Sequence, residues 1–280
     1  MEAVYHNTAF KVSRVITNSY STSFGLGIRV FSPSYRDAIY AVYGYVRLAD
    51  EIVDSFHNYE KKLLLDDFRK ETFDAVKRGI STNPVINSFQ LAVNKYDIDL
   101  KYVEDFLNSM EMDLSNNFYE PEVYDEYIYG SAEVVGLMCL KVFCHGHSGL
   151  FEELLGPAKS LGSAFQKVNF LRDIKSDLAE RGRIYLPGVK EKLKITNANK
   201  RKLEEDIKAE FESALKGIKK LPAGVKLGVY SAYLYYLGLF KKIRKSDVEI
   251  LLHKRVRVSN ISKILLLMKS WFEVKILKTC

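Results

Sequence analysis

The sequence predicts an all-α protein, and three observations carry that prediction. Apolar residues recur at spacings of three and four in nearly every segment, which is the pattern of amphipathic helices. No stretch alternates apolar and polar residues between turn residues, as a half-buried strand would. The 280 residues are 47% hydrophobic and 12% aromatic, which suits a large core and not a disordered chain. The predicted fold class is therefore a large all-α helical bundle.

The individual helices can be placed from their capping and breaking residues. Ser32-Pro33 is typical of a helix start, since serine caps a helix and proline suits its first position, and Gly79 is typical of an end. An interruption is expected near Gly156-Pro157, and RGRIYLPG at 181–188 is predicted to be a loop. The predicted helices are 5–19, 33–53, 60–78, a short one after 83–84, 99–116, 122–145, 149–179, 197–219, 223–245 and 259–276.

The domain organisation follows from what does not interrupt these helices. The sequence has no Pro/Gly/Ser-rich linker, low-complexity stretch or internal repeat. Residues 1–280 are therefore expected to form a single domain.

Charge and cysteine content limit the function classes. The formal net charge of +7 favours an anionic partner, either a phosphate compound or a lipid surface. No nucleic-acid partner is expected, because the basic residues are dispersed and form no known binding module. Cys139, Cys144 and Cys280 form no CxxC pair and are expected to be reduced thiols. No signal peptide and no apolar run of about 20 residues is present, so a cytoplasmic location is expected.

The first candidate site lies on the predicted helix 33–53, in VYGYVRLADEIVD. Tyr43, Arg47, Asp50 and Asp54 fall within roughly a 60° arc of one helix face. Aspartates at i and i+4 place their carboxylates side by side, which is unfavourable on an apolar face unless a cation neutralises them. Such oxygen ligands suit Mg²⁺, which keeps several waters and shares its other positions with substrate phosphate.

The second candidate site, in FQKVNFLRDIKSD, repeats this spacing. Asp173 and Asp177 are again i and i+4, and Gln166 and Asn169 lie on or beside the same face. A single pair of this kind is usually a solvated helix face. Two pairs, each accompanied by amide, tyrosine or arginine side chains, instead predict a double carboxylate cage for a diphosphate and its metal ions. The arginines expected to take the remaining charge are Arg47, Arg172 and Arg183.

Five segments in order along the chain resemble the squalene/phytoene synthase family. They are STSF (21–24), VYGYVRLADEIVD, SMEMDL, YIYGSAEVVGLMC and NFLRDIKSDLAERGRIYLP. The segment YGSAEVVG is more similar to phytoene synthases than to squalene synthases. The resemblance implies the single-domain class I isoprenoid synthase bundle, with two aspartate motifs facing each other across a central cavity.

The resemblance also implies roles for individual residues. Asp50, Asp54, Asp173 and Asp177 would bind Mg²⁺ with help from Asn169, and Mn²⁺ is a substitute metal. Tyr43, Tyr129 and Gln166 would line the reaction chamber, and Tyr236 matches the family's late tyrosine. The residues implied to contact the substrate or close the site are Ser21, Ser23, Phe24, Arg47, Arg172, Arg183 and Tyr185.

The activity implied by the resemblance is a head-to-head condensation in carotenoid biosynthesis. Two geranylgeranyl diphosphates would give 15-cis-phytoene through a cyclopropyl diphosphate, releasing diphosphate and using no NADPH. The base that ends the reaction is left open between Tyr43, Tyr129 and a diphosphate oxygen. An alternative is squalene or dehydrosqualene formation from two farnesyl diphosphates. An alternative of another class is a non-catalytic assembly or lipid-binding scaffold with the same fold.

Some features fall outside the family pattern or outside the site. Phytoene synthases commonly read D-[VI]-G-E-D where this chain has DIKSD, and Lys175 is expected to point away from the metal face. The small residues Gly44, Gly130, Ala132, Gly136 and Gly162 are expected on the cavity floor.

Two interpretations of the C-terminal segment are open: a basic amphipathic helix that contacts a membrane peripherally, and an ordinary packed terminal helix with a solvated basic edge. A phytoene desaturase is the expected downstream partner. The basic residues of that helix are Lys254, Arg255, Arg257, Lys263 and Lys269, and its apolar ones are Ile261, Leu265, Leu266, Met268, Trp271 and Phe272.

Overall fold

The computed structural model describes the backbone of residues 1–278 and 280, and their side chains except that of residue 193. These residues fold as helices joined by short connections. Among them no β-strand forms, and one isolated bridge pairs Phe118 with Ile184. The all-α prediction is confirmed.

The α-helices of the described residues follow one another in this order: α1 (Glu2–Tyr20), α2 (Thr22–Arg29), α3 (Pro33–Asp54), α4 (Lys61–Arg78), α5 (Pro84–Tyr96), α6 (Leu100–Ser115), α7 (Pro121–Ile128), α8 (Val134–Phe143), α9 (Ser148–Ser176), α10 (Asn197–Ile218), α11 (Ala223–Arg244), α12 (Val248–His253) and α13 (Asn260–Trp271). A 3₁₀ turn lies at Lys192–Lys194, and π-helical turns lie at Tyr129–Glu133, Asp177–Arg181 and Phe272–Leu277.

Several helices begin and end as the capping residues predict. Asn83 and Asp99 accept hydrogen bonds from backbone N–H groups in the first turns of α5 and α6. Pro33 is the first residue of α3. Gly79 ends α4 with a φ of 81°, a left-handed conformation that glycine adopts at little cost.

Helix α9 runs through Pro157 without the predicted interruption. A proline inside a helix removes one backbone hydrogen bond, so something must offset that loss. Here α9 packs closely on α10, and a Cβ built on Gly217 would lie 2.3 Å from the Pro157 Cβ. Packing between helices therefore outweighs the local preference, and the prediction at this point is wrong.

Two short helices were not predicted, and one predicted helix is divided. Helices α2 and α12 have eight and six residues, too few to show a clear helical period. The predicted helix 122–145 consists of α7, the π-helical turn Tyr129–Glu133 and α8. A π-helical turn rotates the residues that follow it, and such turns are frequent at functional sites.

Helix α3 lies at the centre of the molecule, packed against α1, α5, α6 and α8. Its buried Tyr45 stacks on Phe89 of α5 with ring centroids 3.8 Å apart. The buried apolar residues form one contiguous cluster. None of the described helices has both the length and the apolar character needed to cross a bilayer.

Candidate active site

A cavity of about 930 Å³ lies between α3, α8, α9 and α11, and α2 and α13 border it. The Asp50–Asp54 pair and the Asp173–Asp177 pair, called here the first and second aspartate stripes, both face it. All the site residues predicted from sequence line the cavity except Tyr129 and Arg183. Those that do are Ser21, Ser23, Phe24, Tyr43, Arg47, Asp50, Asp54, Gln166, Asn169, Arg172, Asp173, Asp177, Tyr185 and Tyr236.

One guanidinium group joins the two aspartate helices. Arg181 Nε lies 3.3 Å from Asp54 Oδ2, and Arg181 Nη1 donates to Asp177 Oδ1 at 2.7 Å. Carboxylates from α3 and from the end of α9 therefore converge on a single positive charge. Sequence reasoning missed Arg181, although its i+4 spacing from Asp177 could have indicated it.

Asp173 is held by two arginines. Arg172 forms a two-point ion pair with it from the same helix. Arg255 Nε lies 2.7 Å from Asp173 Oδ1, and Arg255 belongs to the non-helical segment between α12 and α13. Nothing in the local sequence links residues 82 positions apart, so this contact could not be predicted.

Burial and mutual repulsion raise the pKa of two of the four aspartates. The pKa of Asp50 rises to about 7, chiefly because of burial, although Arg47 opposes the rise. About 34% of the Asp50 side chain remains open, but it opens into the cavity and not into bulk water. Burial also raises the pKa of Asp177 to about 7, and the neighbouring Asp173 adds to this. These carboxyl groups have a high affinity for a cation, either a proton or a metal ion.

Two residues of the cavity wall have a buried polar atom without a hydrogen-bond partner in the part of the chain that the structure describes. Arg47 forms an ion pair with Glu51, and its guanidinium lies 4.4 Å from the ring centroid of Tyr20. Its Nε is buried and has no hydrogen-bond partner among the described residues. The buried Ser131 Oγ likewise has none within this part of the chain. Arginine side chains bind oxygen-rich anions through forked hydrogen bonds, so Arg47 is suited to such a ligand.

An aromatic cluster adjoins the charged groups. Phe165 stacks on Tyr236 with centroids 3.9 Å apart, and Phe24 lies 5.3 Å from Tyr43 and 6.2 Å from Tyr236. The Tyr236 hydroxyl donates to Asn169 Oδ1 at 3.2 Å, which links the cluster to the second aspartate stripe. A positive charge that develops beside these ring faces would be stabilised by them.

Arg183 does not line the cavity but lies buried behind it. Its Nη1 donates to Asp54 Oδ1 at 2.8 Å, and its Nη2 donates to the Asp113 backbone carbonyl at 2.7 Å. Because these donors are engaged by protein oxygens, a contact of Arg183 with diphosphate stays a prediction. Arg181, two residues earlier, faces the cavity instead.

Asp113 organises the wall behind the first aspartate stripe. Its carboxylate accepts hydrogen bonds from Tyr119 at 2.7 Å, Tyr127 at 2.8 Å and Tyr185 at 2.9 Å. This network fixes the loop that carries Arg183, and through it Asp54. Asp113 lies within SMEMDL, but no sequence argument assigned it a role.

Tyr129 faces away from the cavity, contrary to prediction. Tyr127 lines the cavity, and residues two positions apart on a helix point about 200° apart. The Tyr129 ring instead lies beside Lys159, whose Nζ is 4.8 Å from the ring centroid.

The glycines predicted on the cavity floor serve mainly as helix contacts. A Cβ on Gly44 would meet Ser13 of α1 at 2.9 Å, and one on Gly130 would meet the Asp105 carbonyl at 2.6 Å, and neither residue lines the cavity. Ala132, Gly136 and Gly162 do line it. The apolar wall also includes large side chains, namely Phe31, Phe143, Leu154 and Leu221.

The fold is similar to that of solved squalene and dehydrosqualene synthase structures. A solved structure described as a dehydrosqualene synthase superimposes with a TM-score of 0.82 at 24% identity, covering 96% of this chain and 98% of that one. A squalene synthase from Alicyclobacillus acidocaldarius gives a TM-score of 0.74 at 20% identity, covering 86% and 95%. At these identities the likeness concerns the fold alone.

Residues 17–262 match the family model for squalene/phytoene synthase, and the chain belongs to this family. The 15-cis-phytoene synthase of Synechocystis is 26% identical, with 96% of this chain and 86% of the relative covered. The chloroplastic phytoene synthase of Daucus carota is 28% identical over 87% of this chain, and phytoene synthase 1 of Zea mays is 30% identical over 83%. The match spans 65% of the length of the carrot protein and 60% of the maize protein.

Proposed function

We propose that this protein joins two geranylgeranyl diphosphates head to head to form 15-cis-phytoene and releases two diphosphates. The observation that carries the proposal is the meeting of two aspartate stripes and four arginines at one side of a large apolar cavity. The family relatives named as phytoene synthases support the choice of product. A non-catalytic scaffold would gain nothing from several partly buried carboxylates on facing helices.

Magnesium is the cofactor that we propose, with Mn²⁺ as a substitute. Asp50, Asp54, Asp173, Asp177 and Asn169 offer hard oxygen ligands along one wall, and burial gives two of the carboxyl groups a raised pKa. Within the described residues no three acidic, histidine or cysteine side chains form a ready-made metal site. Mg²⁺ keeps several waters and shares ligands with substrate phosphates. When bound, it would supply Lewis-acid stabilisation of the leaving diphosphate.

The arginines of the cavity would bind and orient the diphosphate groups. Arg47 has an unsatisfied Nε, while Arg172, Arg181 and Arg255 pair with aspartates that metal ions would neutralise instead. Once freed from those pairs, the guanidinium groups can donate to the departing phosphate oxygens.

The aromatic cluster would protect the carbocation. As the C–O bond of the first substrate breaks, the diphosphate leaves with the electron pair, and the double bond of the second substrate attacks. The rings of Phe24, Phe165 and Tyr236 exclude water and present their faces to the cation.

The base for proton removal is the departing diphosphate in this proposal. Tyr129 lies outside the cavity. Burial raises the pKa of Tyr43 to about 12, so its phenol stays neutral at physiological pH. A diphosphate oxygen is the remaining candidate of the three predicted from sequence.

The cavity volume supports the proposed length of the substrate. The volume of about 930 Å³ lies near the upper end of the usual range for ligand pockets, roughly 300–1,000 Å³, which favours a large ligand. The test is to incubate the purified protein with Mg²⁺ and geranylgeranyl diphosphate without NADPH and identify the hydrocarbon by mass. Forty-carbon phytoene is expected. Squalene that appears only with farnesyl diphosphate and NADPH would replace this assignment with the shorter alternative.

Metal dependence can be tested separately. Activity should disappear in EDTA and return with Mg²⁺, and Asp50→Asn should lower turnover by about 10²-fold or more because it removes one proposed ligand. Asp66→Asn, a change at an exposed aspartate of α4 that pairs with Lys62, serves as the matched control. Full activity of the wild-type protein in excess chelator would contradict the metal proposal.

For the cellular setting, we propose a cytoplasmic protein that contacts a membrane peripherally, since the proposed substrate and product are lipids. A phytoene desaturase would consume the product. Direct binding of such an enzyme can be tested by co-purification of the two proteins.

A further inference from the structure

Helix α13 presents an apolar face to solvent. Six large apolar residues between positions 261 and 272 are 48–72% exposed, and at 3.6 residues per turn they fall within roughly 120° of the helix circumference. Monomeric soluble proteins rarely expose so many neighbouring apolar side chains. The residues of this face, called here the α13 face, are Ile261, Ile264, Leu265, Met268, Trp271 and Phe272.

The opposite side of α13 is fixed to the body of the protein. Ser270 is fully buried, and its hydroxyl lies 2.6 Å from the Ser231 hydroxyl of α11. The Tyr230 hydroxyl of α11 donates to Glu273 at 2.8 Å, one turn further along. The outward orientation of the α13 face is therefore set by tertiary contacts.

The α13 face adjoins the opening of the cavity. Asn260 and Arg257 are exposed and also line the cavity, so the cavity reaches the surface at the start of α13. Lys263 Nζ lies 3.4 Å from Thr22 Oγ1 at the start of α2. A small recess between these two helices is lined by Leu267 and the exposed Leu26. Apolar surface thus continues from α13 to α2 beside the opening.

The surrounding charge favours an anionic lipid surface over other occupants. Lys269, Lys275 and Lys278 are exposed around the α13 face. The face itself contains no acidic residue, and the chain carries a net charge of +7. Apolar side chains flanked by lysines are typical of helices that lie in the interface of a bilayer.

We propose that α13 inserts its apolar face into the surface of an anionic membrane, so that the cavity opens directly onto lipid. This inference rests on the proposed function in one respect, because insertion would let a hydrocarbon product pass directly into the bilayer.

The structure corrects the basic helix predicted from sequence. Residues 254–259 are not helical, and Arg255, Arg257 and Lys263 line the cavity. Insertion of apolar side chains therefore dominates, and binding persists at salt concentrations that screen surface charges.

The single tryptophan of the chain, Trp271, lies within the α13 face and reports on insertion. The full chain would be mixed with vesicles of phosphatidylcholine and phosphatidylserine. Flotation would be followed at about 0.1 and 1 M salt, where the Debye length falls from about 10 to 3 Å. We expect flotation at both salt concentrations, a blue shift of Trp271 emission, and quenching by lipids brominated in their acyl chains.

A pair of variants tests whether vesicle binding depends on the α13 face or on exposed apolar side chains in general. Leu265→Glu should weaken vesicle binding by about tenfold or more, because it replaces an inserted apolar side chain by a charge. Leu63→Glu, a matched change at an exposed leucine of α4, should leave binding unchanged. Circular dichroism establishes that both variants are folded.

The outcomes distinguish this inference from the proposed function. Wild-type protein that stays in the aqueous fraction with unshifted emission overturns it. So does a lipid-free dimer that Leu265→Glu dissociates, because the face then belongs to a second copy of the chain. Loss of vesicle binding in Leu265→Glu, with turnover in detergent unchanged, supports the inference. Vesicle binding by a protein that makes no hydrocarbon supports it too, and contradicts only the proposed function.

Discussion

Arginine side chains pair with the aspartates of the site. Arg181 lies between Asp54 and Asp177, and Arg255 pairs with Asp173. Each guanidinium occupies a position next to carboxylate oxygens where a divalent cation would also be favourable. We therefore expect metal binding and release of these arginines to be coupled, since both compete for the same oxygens.

The raised pKa values make the stability of the metal-free protein depend on pH. The pKa of Asp177 rises from 3.8 to about 7 on folding. Between those values the folded protein binds more protons than the unfolded chain, so its free energy of unfolding falls as pH rises and levels off above about 7. In Asp177→Asn that fall should be smaller. Urea unfolding in chelator from pH 4 to 8 measures it, and equal slopes in the two proteins would contradict the assignment.

The orientation of Tyr129 leads to a second prediction at the residue scale. Because its ring lies outside the cavity, Tyr129→Phe should keep turnover within about twofold of wild type. Tyr43→Phe should lower turnover about tenfold or more, because Tyr43 lines the cavity and its hydroxyl forms a hydrogen bond that positions Ser21, a residue expected to contact the substrate. Steady-state rates of both variants test this. The reverse order of the two effects would show that Tyr129 acts in the site.

At the scale of helices, the features that could be predicted from sequence are those that depend on local periodicity and capping residues. The starts of α3, α5 and α6 follow from Pro33, Asn83 and Asp99. Helix α2 is too short to show a period, and the passage of α9 through Pro157 depends on its contact with Gly217. Local patterns do not contain such contacts, so these features could not be predicted.

In the site, too, local periodicity predicts some residues and tertiary contacts determine the others. Asp50 and Asp54 could be found because i and i+4 positions on one helix share a face. The position of Arg181 in the cavity wall and of Arg183 behind it depends on how the loop after α9 docks, where the Ile184 N–H donates to the Asn117 carbonyl at 2.8 Å. Arg255 comes from a distant segment that only the tertiary fold brings to Asp173.

The loop that carries Arg183 should depend on Asp113. Asp113→Ala would leave three tyrosine hydroxyls without their acceptor and Arg183 without one of its two carboxylate partners, and should lower the free energy of unfolding by about 3–5 kcal/mol. Asp105→Ala on the same helix is the control. It removes a carboxylate that pairs with the exposed Lys101 and should cost less than about 1 kcal/mol. Similar losses in both variants, measured by urea unfolding, would contradict the proposed importance of this network.

For the whole molecule, one cavity connects the charged groups, the apolar wall and the surface beside α13. The aspartates and arginines lie on one side, and Phe31, Phe143 and Leu221 line the apolar part. Those large side chains limit the space for the isoprenoid tails. The helical bundle could be predicted from sequence, but the size of its cavity could not, because the cavity depends on how side chains from distant helices meet.

The most direct test of the account is a competition between substrates of two lengths. Equimolar geranylgeranyl and farnesyl diphosphates would be supplied with Mg²⁺ and no NADPH, and the hydrocarbons would be separated and identified by mass at low conversion. The account predicts mainly forty-carbon phytoene, with the thirty-carbon product in the minority, and no hydrocarbon once EDTA is added. A mixture dominated by the thirty-carbon product, or synthesis that continues in chelator, would contradict it.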